Sequence, residues 1–200
     1  MRLWYAPTSP FSRKVRIAAA ELSLDGALAL EEVNPWTSAA LRAVNPLAKV
    51  PTLERDVGEP LYESAVIVAY LDALDPPARL HPPAGEARWR ALLVQGLADG
   101  AMTAAGRLFA DEQRPDGERS ATMMARFHTA IDAALDDLAR RPLDDEAPTI
   151  GEISAAAFVG YLDFRWPGHP WREGRPALAA WFDRFAARPS MRATAYRLPQ

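Results

Sequence analysis

The chain has 200 residues, no cysteine and a formal net charge of −3 at pH 7. This length allows one large domain or two small ones, which bury a core without a metal or disulfide. The absence of cysteine excludes thiol–disulfide exchange by the protein itself, and the small negative charge gives no general attraction to nucleic acid or anionic lipid. No apolar run reaches the roughly 18 residues of a membrane span, and there is no signal-peptide core. We therefore expect a cytoplasmic protein with neither a membrane nor a nucleic-acid partner.

The N-terminal residues predict a strand that leads directly into a helix. Residues 3–6 form a short apolar segment, and apolar residues after Pro10 recur at helical spacing. Ser9 or Thr8 fits the N-cap of this helix, and Pro10 fits its first turn. A helix start of this kind directs several N–H groups and the positive dipole end toward one point, which favours an anion. A hydroxyl held there by Ser9 would lower the pKa of a thiol that it contacts. A plain capping serine is the alternative.

The rest of the first 74 residues predicts a small sheet with helices on it. The segments, in chain order, are a strand over 27–33, a helix over 39–44, a strand after Pro51, a strand over 60–62 and a helix from Glu63-Ser64 to Leu74. The second strand is expected to run parallel to the first, because a helix connects them. This order of elements predicts four strands and three helices.

Residues 75–84 contain four prolines and separate this part from an all-helical remainder. Four long helices are predicted after residue 84. The first of them is marked by apolar residues at helical spacing: Trp89, Leu93, Leu97, Ala101, Ala104 and Leu108. Gly96 and Gly100 each cost that helix about 1 kcal/mol relative to alanine. Close approach of another helix, or space for a ligand, would offset this cost, and chance is the alternative.

Four motifs occur in order along the chain: Thr8–Ser12, Asn45–Leu53, Tyr62–Leu71 and the capping box Thr149–Glu152. Together they resemble the cytosolic glutathione transferases over essentially the whole chain, in particular bacterial members with a Thr-Ser-Pro-Phe turn. The resemblance implies a thioredoxin-like glutathione-binding domain over 1–74, a linker over 75–84, and a helical domain over 85–200. The helical domain would supply the second-substrate side and the dimer contacts.

The resemblance also implies glutathione as co-substrate, no metal, and a set of site residues. Ser9 would be the catalytic group, since its hydroxyl would hydrogen-bond the sulfur and favour thiolate. The glutathione-binding residues that it implies are Phe11, Lys49, Val50, Pro51, Glu63, Ser64 and, from the partner subunit, Asp99.

Each of these residues has an implied role and an ordinary structural alternative. A cis Val50-Pro51 bond would leave the Val50 backbone to pair with the cysteinyl part, although a trans strand-edge proline is the alternative. Ser64 would hold the γ-glutamyl carboxylate and Glu63 the ammonium group, and a simple N-cap pair is the alternative. Lys49 would take the glycyl carboxylate. The alternative for Phe11 is packing in the core. The alternative for Lys49 and Asp99 is a position exposed to solvent without contact to a ligand.

The second-substrate pocket is expected between the Ser9 turn and the helical domain. Its candidate residues are Met102, Phe109, Phe164 and Trp166, for which core packing is the alternative. Because the chain has no cysteine, reduction through a protein–glutathione mixed disulfide is disfavoured. Conjugation, dehalogenation and reduction of a substrate by glutathione remain open.

The resemblance therefore implies a homodimeric glutathione transferase that attacks a small electrophile, with detoxification as its general role. A non-catalytic protein of the same fold, which binds ligands or partners, is the alternative.

Overall fold

A computed structural model of the chain describes residues 1–74 and 79–199. These residues form two compact units. The first unit consists of residues 1–88 and the C-terminal residues from 188 onward, and the second consists of residues 89–187. Residues 75–78, the first part of the predicted linker, lie outside the described residues. No helix among the described residues combines the length and apolarity needed to cross a bilayer.

The first unit contains a four-stranded sheet and the predicted helices. Its elements are β1 (Arg2–Tyr5), α1 (Pro10–Glu21), β2 (Ala29–Glu32), α2 (Ala39–Val44), β3 (Thr52–Glu54), β4 (Leu61–Tyr62) and α3 (Ser64–Asp72), with a 3-10 turn over Asp25–Ala27. The strand order is β2-β1-β3-β4. β1 and β2 are parallel, as predicted, whereas β3 is antiparallel to both β1 and β4. Over residues 1–74, the predicted count of four strands and three α-helices is confirmed.

The C-terminal segment, residues 188–199, belongs to the first unit and packs on α1. It begins with a short helix, α8 (Pro189–Ala193), which the periodicity analysis did not predict. Arg188 pairs with Glu21 at the end of α1 at 2.7 Å, and Arg13 Nη2 donates to the Met191 carbonyl at 3.2 Å. The sequence predicts a helical domain over 85–200, whereas the second compact unit ends at residue 187. The difference arises because these long-range polar contacts bring residues 188–199 back to α1.

The second unit is helical, with a short 3-10 turn. Its helices are α4 (Gly85–Glu112, which begins four residues inside the first unit), α5 (Ala121–Ala139), α6 (Ile150–Arg165) and α7 (Pro176–Ala186). The predicted capping box begins α6: Thr149 Oγ1 accepts from the Gly151 N–H at 3.1 Å, and Glu152 accepts from the Thr149 N–H at 2.9 Å. α6 is the core helix of this unit, since all residues from Ile150 to Leu162 are buried.

The predicted helix α4 is present, but the residues that mark it in the sequence divide between its exposed and buried faces. Trp89 and Leu93 are 63% and 58% exposed. The buried face consists instead of smaller side chains, among them Ala91, Val94 and Ala98. Ala101, Ala104 and Leu108, later in the same series, are buried. The spacing therefore predicts the helix, but it does not define a single core face, because alanine and glycine residues give α4 apolar positions on two faces.

Candidate functional site

The strand register brings three loop segments to one end of the sheet. Trp4 in β1 lies opposite Thr52 in β3, and Thr52 lies opposite Tyr62 in β4. Because β3 is antiparallel to both neighbours, the end of β1, the start of β3 and the end of β4 are adjacent. The segments that follow or precede these ends are 6–9, 49–51 and 63–64. Apart from Phe11, the residues that are predicted for the glutathione site in the first unit thus lie in these three segments, at one end of the sheet.

Ser9 caps α1 and keeps a donor available. Its backbone is extended, with φ −83° and ψ 122°, and its Oγ accepts a hydrogen bond from the Ser12 N–H at 3.2 Å. A hydroxyl that accepts through a lone pair still carries its own proton. The side chain is half-buried, so this proton can be donated to a group that approaches the helix start. Phe11, two residues further along, is half-buried as well.

The peptide bond between Val50 and Pro51 is cis, which confirms the expectation from the resemblance. Pro51 is buried and Val50 is half-buried. Among the described residues, neither the N–H nor the C=O of Val50 takes part in a hydrogen bond. A half-buried backbone donor and acceptor that lack partners form an edge to which an extended peptide can pair.

A buried asparagine holds the loop that carries Val50. The Asn45 side chain is completely buried; its Nδ2 donates to Thr52 Oγ1 at 2.9 Å and to the Lys49 carbonyl at 3.2 Å. Its Oδ1 accepts from the Leu47 N–H at 2.9 Å. This one side chain therefore connects the beginning, middle and end of the loop. Lys49 itself is exposed, so that its ammonium group is free to move toward an anionic ligand.

Glu63 and Ser64 begin α3 in an unusual geometry. Glu63 has a φ of +69°, a conformation that costs an L residue roughly 1–3 kcal/mol. Its side chain is exposed and makes no capping hydrogen bond. Ser64 is only 4% exposed, and within the described chain its hydroxyl has no hydrogen-bond partner. At the start of α3, the first backbone N–H groups therefore lie beside the Ser64 hydroxyl, which has no partner in the described chain. This arrangement suits the binding of a carboxylate.

A buried cation lies one helical turn beyond Ser9. Arg13 is 9% exposed, and its guanidinium stacks on the Tyr196 ring with Cζ 4.3 Å from the ring centroid. Burial lowers the pKa of Arg13, but an arginine starts so high that it stays charged at neutral pH. This charge is held by the C-terminal segment, through the Tyr196 ring and the Met191 carbonyl.

The candidates for the second-substrate pocket divide into two kinds. Met102 has no exposed surface and is therefore a core residue. The rings of Phe109 and Trp166 meet edge to face with centroids 6.1 Å apart, and both side chains are half-buried. Phe164 is half-buried beside Arg165. Asp99 is half-buried on α4.

Two further residues, one in each unit, were not among the predicted site residues. Trp36 follows β2, whose end lies beside that of β1, and it is 88% exposed. Its surroundings, residues 34–38, have the composition of a turn, which gives no signal for a binding site. Arg165 lies among the aromatic residues of the second unit, at the last turn of α6. It ends the run Gly160–Arg165, which resembles bacterial members of the family, but the sequence assigned it no role. Among the described residues, no group of three or more His, Asp or Glu side chains could hold a metal ion.

The sheet and the helical second unit define a thioredoxin-like domain followed by a helical bundle. Residues 8–74 match the family model of the Glutathione S-transferase, N-terminal domain, and residues 87–184 match that of the Glutathione S-transferase, C-terminal domain. The chain belongs to the glutathione S-transferase family, as the sequence motifs predicted.

Relatives match along nearly their full length. The chain is 30% identical to the uncharacterized GST-like protein YibF of Escherichia coli K12, over 97% of this chain and 98% of that protein. A glutathione S-transferase of Methylobacterium radiotolerans, solved in complex with glutathione sulfonate, is 37% identical with a TM-score of 0.89, covering 100% of this chain and 95% of that one. A family member from Pseudomonas fluorescens Pf-5, solved with bound glutathione, is 35% identical with a TM-score of 0.88, covering 98% and 99%.

Proposed function

We propose that the protein is a glutathione-dependent transferase that binds glutathione at the end of the sheet and activates its thiol through Ser9. The observation that carries the proposal is the register that brings Ser9, Val50 and Ser64 to one end of the sheet. Structures of relatives with bound glutathione or glutathione sulfonate support the choice of ligand.

Each part of glutathione has a matching group in this arrangement. The cysteinyl backbone pairs with the free N–H and C=O of Val50, as an added strand would. The γ-glutamyl carboxylate accepts hydrogen bonds from the N–H and hydroxyl of Ser64 at the start of α3, and the Glu63 carboxylate faces the ammonium group. Lys49 pairs with the glycyl carboxylate. Pro51, Phe11 and the exposed Trp36 supply apolar contact.

The chemistry then follows from the position of the sulfur. Bound glutathione loses its thiol proton to solvent, and the thiolate accepts a hydrogen bond from the Ser9 hydroxyl near the positive end of α1. The thiolate attacks an electrophilic carbon and the leaving group departs with the bonding electrons. Binding supplies proximity and thiolate formation supplies reactivity.

Two copies are proposed to associate through α4. Trp89, Leu93, Gly96 and Gly100 lie on one exposed stripe of this helix. A Cβ added at either glycine would meet no atom within 4 Å, which leaves room for close approach of a second helix. Asp99, on the same helix, is the proposed contact to the ammonium of glutathione in the other copy. Sedimentation of the Trp89→Glu variant tests this, since a dimer through α4 predicts a shift to monomer.

Calorimetry with glutathione, followed by conjugation of chlorodinitrobenzene, tests the function. We expect saturable binding and turnover that is proportional to enzyme concentration. Binding without turnover over a broad panel of electrophiles would favour the non-catalytic alternative. Absence of binding at physiological glutathione concentrations would overturn both.

A further inference from the structure

A small cavity lies between α7 and the end of α5 with the segment that follows it. Its volume is about 180 Å³, and all of its lining residues belong to the second unit. The apolar part of its wall includes Leu138, Leu178 and the Trp181 ring, none of which is more than 3% exposed. An apolar cavity of about 150 Å³ takes up a benzene ring, so this cavity has the size for a ligand with a single ring.

The Trp181 ring is held in a fixed position beside the cavity. Its Nε1 donates to the Asp144 carbonyl at 3.3 Å, and its centroid lies 5.2 Å from that of the buried Phe185 ring. The hydrogen bond satisfies the one polar group of the indole. The ring therefore offers the cavity a rigid apolar surface.

Two arginines complete the wall. Arg141 and Arg184 both line the cavity, and among the described residues the lining includes no acidic side chain. Each guanidinium is anchored through its Nε, which donates to Asp137 at 2.6 Å in Arg141 and to Asp145 at 2.5 Å in Arg184. A carboxylate bound at Nε restricts the movement of a guanidinium and leaves its other nitrogens available.

The outer nitrogens of both arginines keep unused donors. Within residues 1–74 and 79–199, neither Nη1 nor Nη2 of Arg141 donates a hydrogen bond, and Arg184 uses only Nη1, which donates to the Ala180 carbonyl at 3.1 Å. Asp137 also pairs with Arg140 at 3.4 Å, so that one carboxylate serves two guanidiniums. The Arg141 side chain is 23% exposed, and this partial burial strengthens its interaction with an anion.

We propose that this cavity binds a small aromatic carboxylate. The ring of the ligand lies against Trp181 and Leu178, and its carboxylate accepts hydrogen bonds from the free nitrogens of Arg141 and Arg184. A planar carboxylate matches the fork of guanidinium donors, and a single ring fills the apolar space. The inference does not depend on the proposed thiol chemistry, since none of the lining residues belongs to the glutathione site.

Benzoate and benzyl alcohol test the charge of the site, because they share the ring and differ in the carboxylate. Calorimetry should show saturable binding of benzoate and binding of the alcohol that is weaker by about tenfold or more. Arg141→Met should weaken benzoate binding by about tenfold, and Arg184→Met should weaken it less, because Arg184 is more exposed. Arg140→Met is the matched control: it removes the other partner of Asp137 but does not line the cavity, so benzoate affinity should stay the same.

Ala177→Phe tests the space instead of the charge. Ala177 lines the cavity from an exposed position in the first turn of α7, so a phenylalanine there should fill the cavity and abolish benzoate binding. If Arg141→Met does not fold, Arg141→Lys replaces it and should also weaken binding, because it loses the planar donors. Absence of saturable benzoate binding to the wild-type protein would overturn the inference. Wild-type affinity in both the Arg141 variant and Ala177→Phe would place the probe elsewhere and overturn it as well.

Discussion

The Ser9 hydroxyl oxygen accepts the Ser12 N–H at 3.2 Å, so the same side chain begins α1 and keeps its proton for another acceptor. The two tasks use different parts of one hydroxyl group. Ser9→Ala removes both, so the effect of losing a cap has to be measured at a second capping serine.

Ser9→Ala should lower turnover by about 10- to 100-fold, since the thiolate loses one charge-assisted hydrogen bond. It should also raise the pH at which bound glutathione absorbs in the ultraviolet as thiolate. Loss of the cap alone costs about 1 kcal/mol of stability. Ser120→Ala is the matched control, because Ser120 caps α5 through the Met123 N–H in the same way. An unchanged thiolate titration in Ser9→Ala would remove Ser9 from the mechanism.

Ser64→Ala should weaken glutathione binding by about tenfold, because the γ-glutamyl carboxylate loses a hydroxyl donor at the start of α3. Calorimetry measures this directly. Ser154→Ala is the control, since Ser154 is a buried helical serine of α6 whose hydroxyl donates to the Ile150 carbonyl at 2.8 Å. Equal affinities in wild type and Ser64→Ala would contradict the placement of the γ-glutamyl group.

Glu63→Gly and Glu63→Ala should differ in stability although both remove the carboxylate. Alanine keeps the cost of a φ of +69°, whereas glycine adopts this angle freely. We expect the glycine variant to be the more stable by about 1 kcal/mol in denaturant unfolding. Both variants should bind glutathione more weakly than wild type, since the ammonium group loses its partner. Equal stability would show that the backbone conformation carries no strain.

Asn45→Ala should reduce the free energy of unfolding by about 2–4 kcal/mol, because the buried Thr52 hydroxyl and the Lys49 carbonyl lose a donor and the Leu47 N–H loses its acceptor. Glutathione affinity should fall as well, since the loop positions Val50. Asn34→Ala is the control: the Asn34 side chain makes a comparable turn bond to the Trp36 N–H, but in an exposed loop. A loss below 1 kcal/mol for Asn45→Ala would contradict this role.

The Glu21–Arg188 pair should make stability depend on pH. The hydrogen bond from Arg188 holds the pKa of the Glu21 carboxyl below its ordinary value, against the opposing effect of burial, and Ser190 adds a further hydrogen bond. A carboxyl with a lowered folded-state pKa stabilises the protein above its unfolded pKa of 4.5 and loses that contribution as the pH falls through the folded value. Glu21→Gln should therefore flatten the acid side of the profile from thermal unfolding. A parallel profile would contradict the linkage.

The sequence predicted most of the first unit because its signals are local. Ser9 and Pro10 mark a helix start by residue type, and α2 follows from its own cap and spacing. The family resemblance, rather than any local pattern, predicted the cis bond before Pro51.

The rest of the structure depends on contacts that local patterns do not show. Trp89 and Leu93 share their helical spacing with the buried Leu108, so the spacing alone does not show which of these residues fill the core. The return of residues 188–199 to α1 depends on pairs such as Arg188 with Glu21, which are far apart in sequence. Arg165 resembles any basic residue in the last turn of a helix until the rings around it are placed.

The helix α1, which Ser9 caps, is contacted by residues 188–199, and these are synthesised only after the whole second unit. While a ribosome is still producing the second unit, Arg13 and Glu21 lack the Met191 carbonyl and the Arg188 side chain that they contact in the finished protein. The first unit therefore completes its packing only after residues 188–199 have emerged. A recombinant fragment that stops at residue 88 would expose these charged groups, whereas one in which residues 188–199 follow residue 88 through a flexible linker would restore their partners.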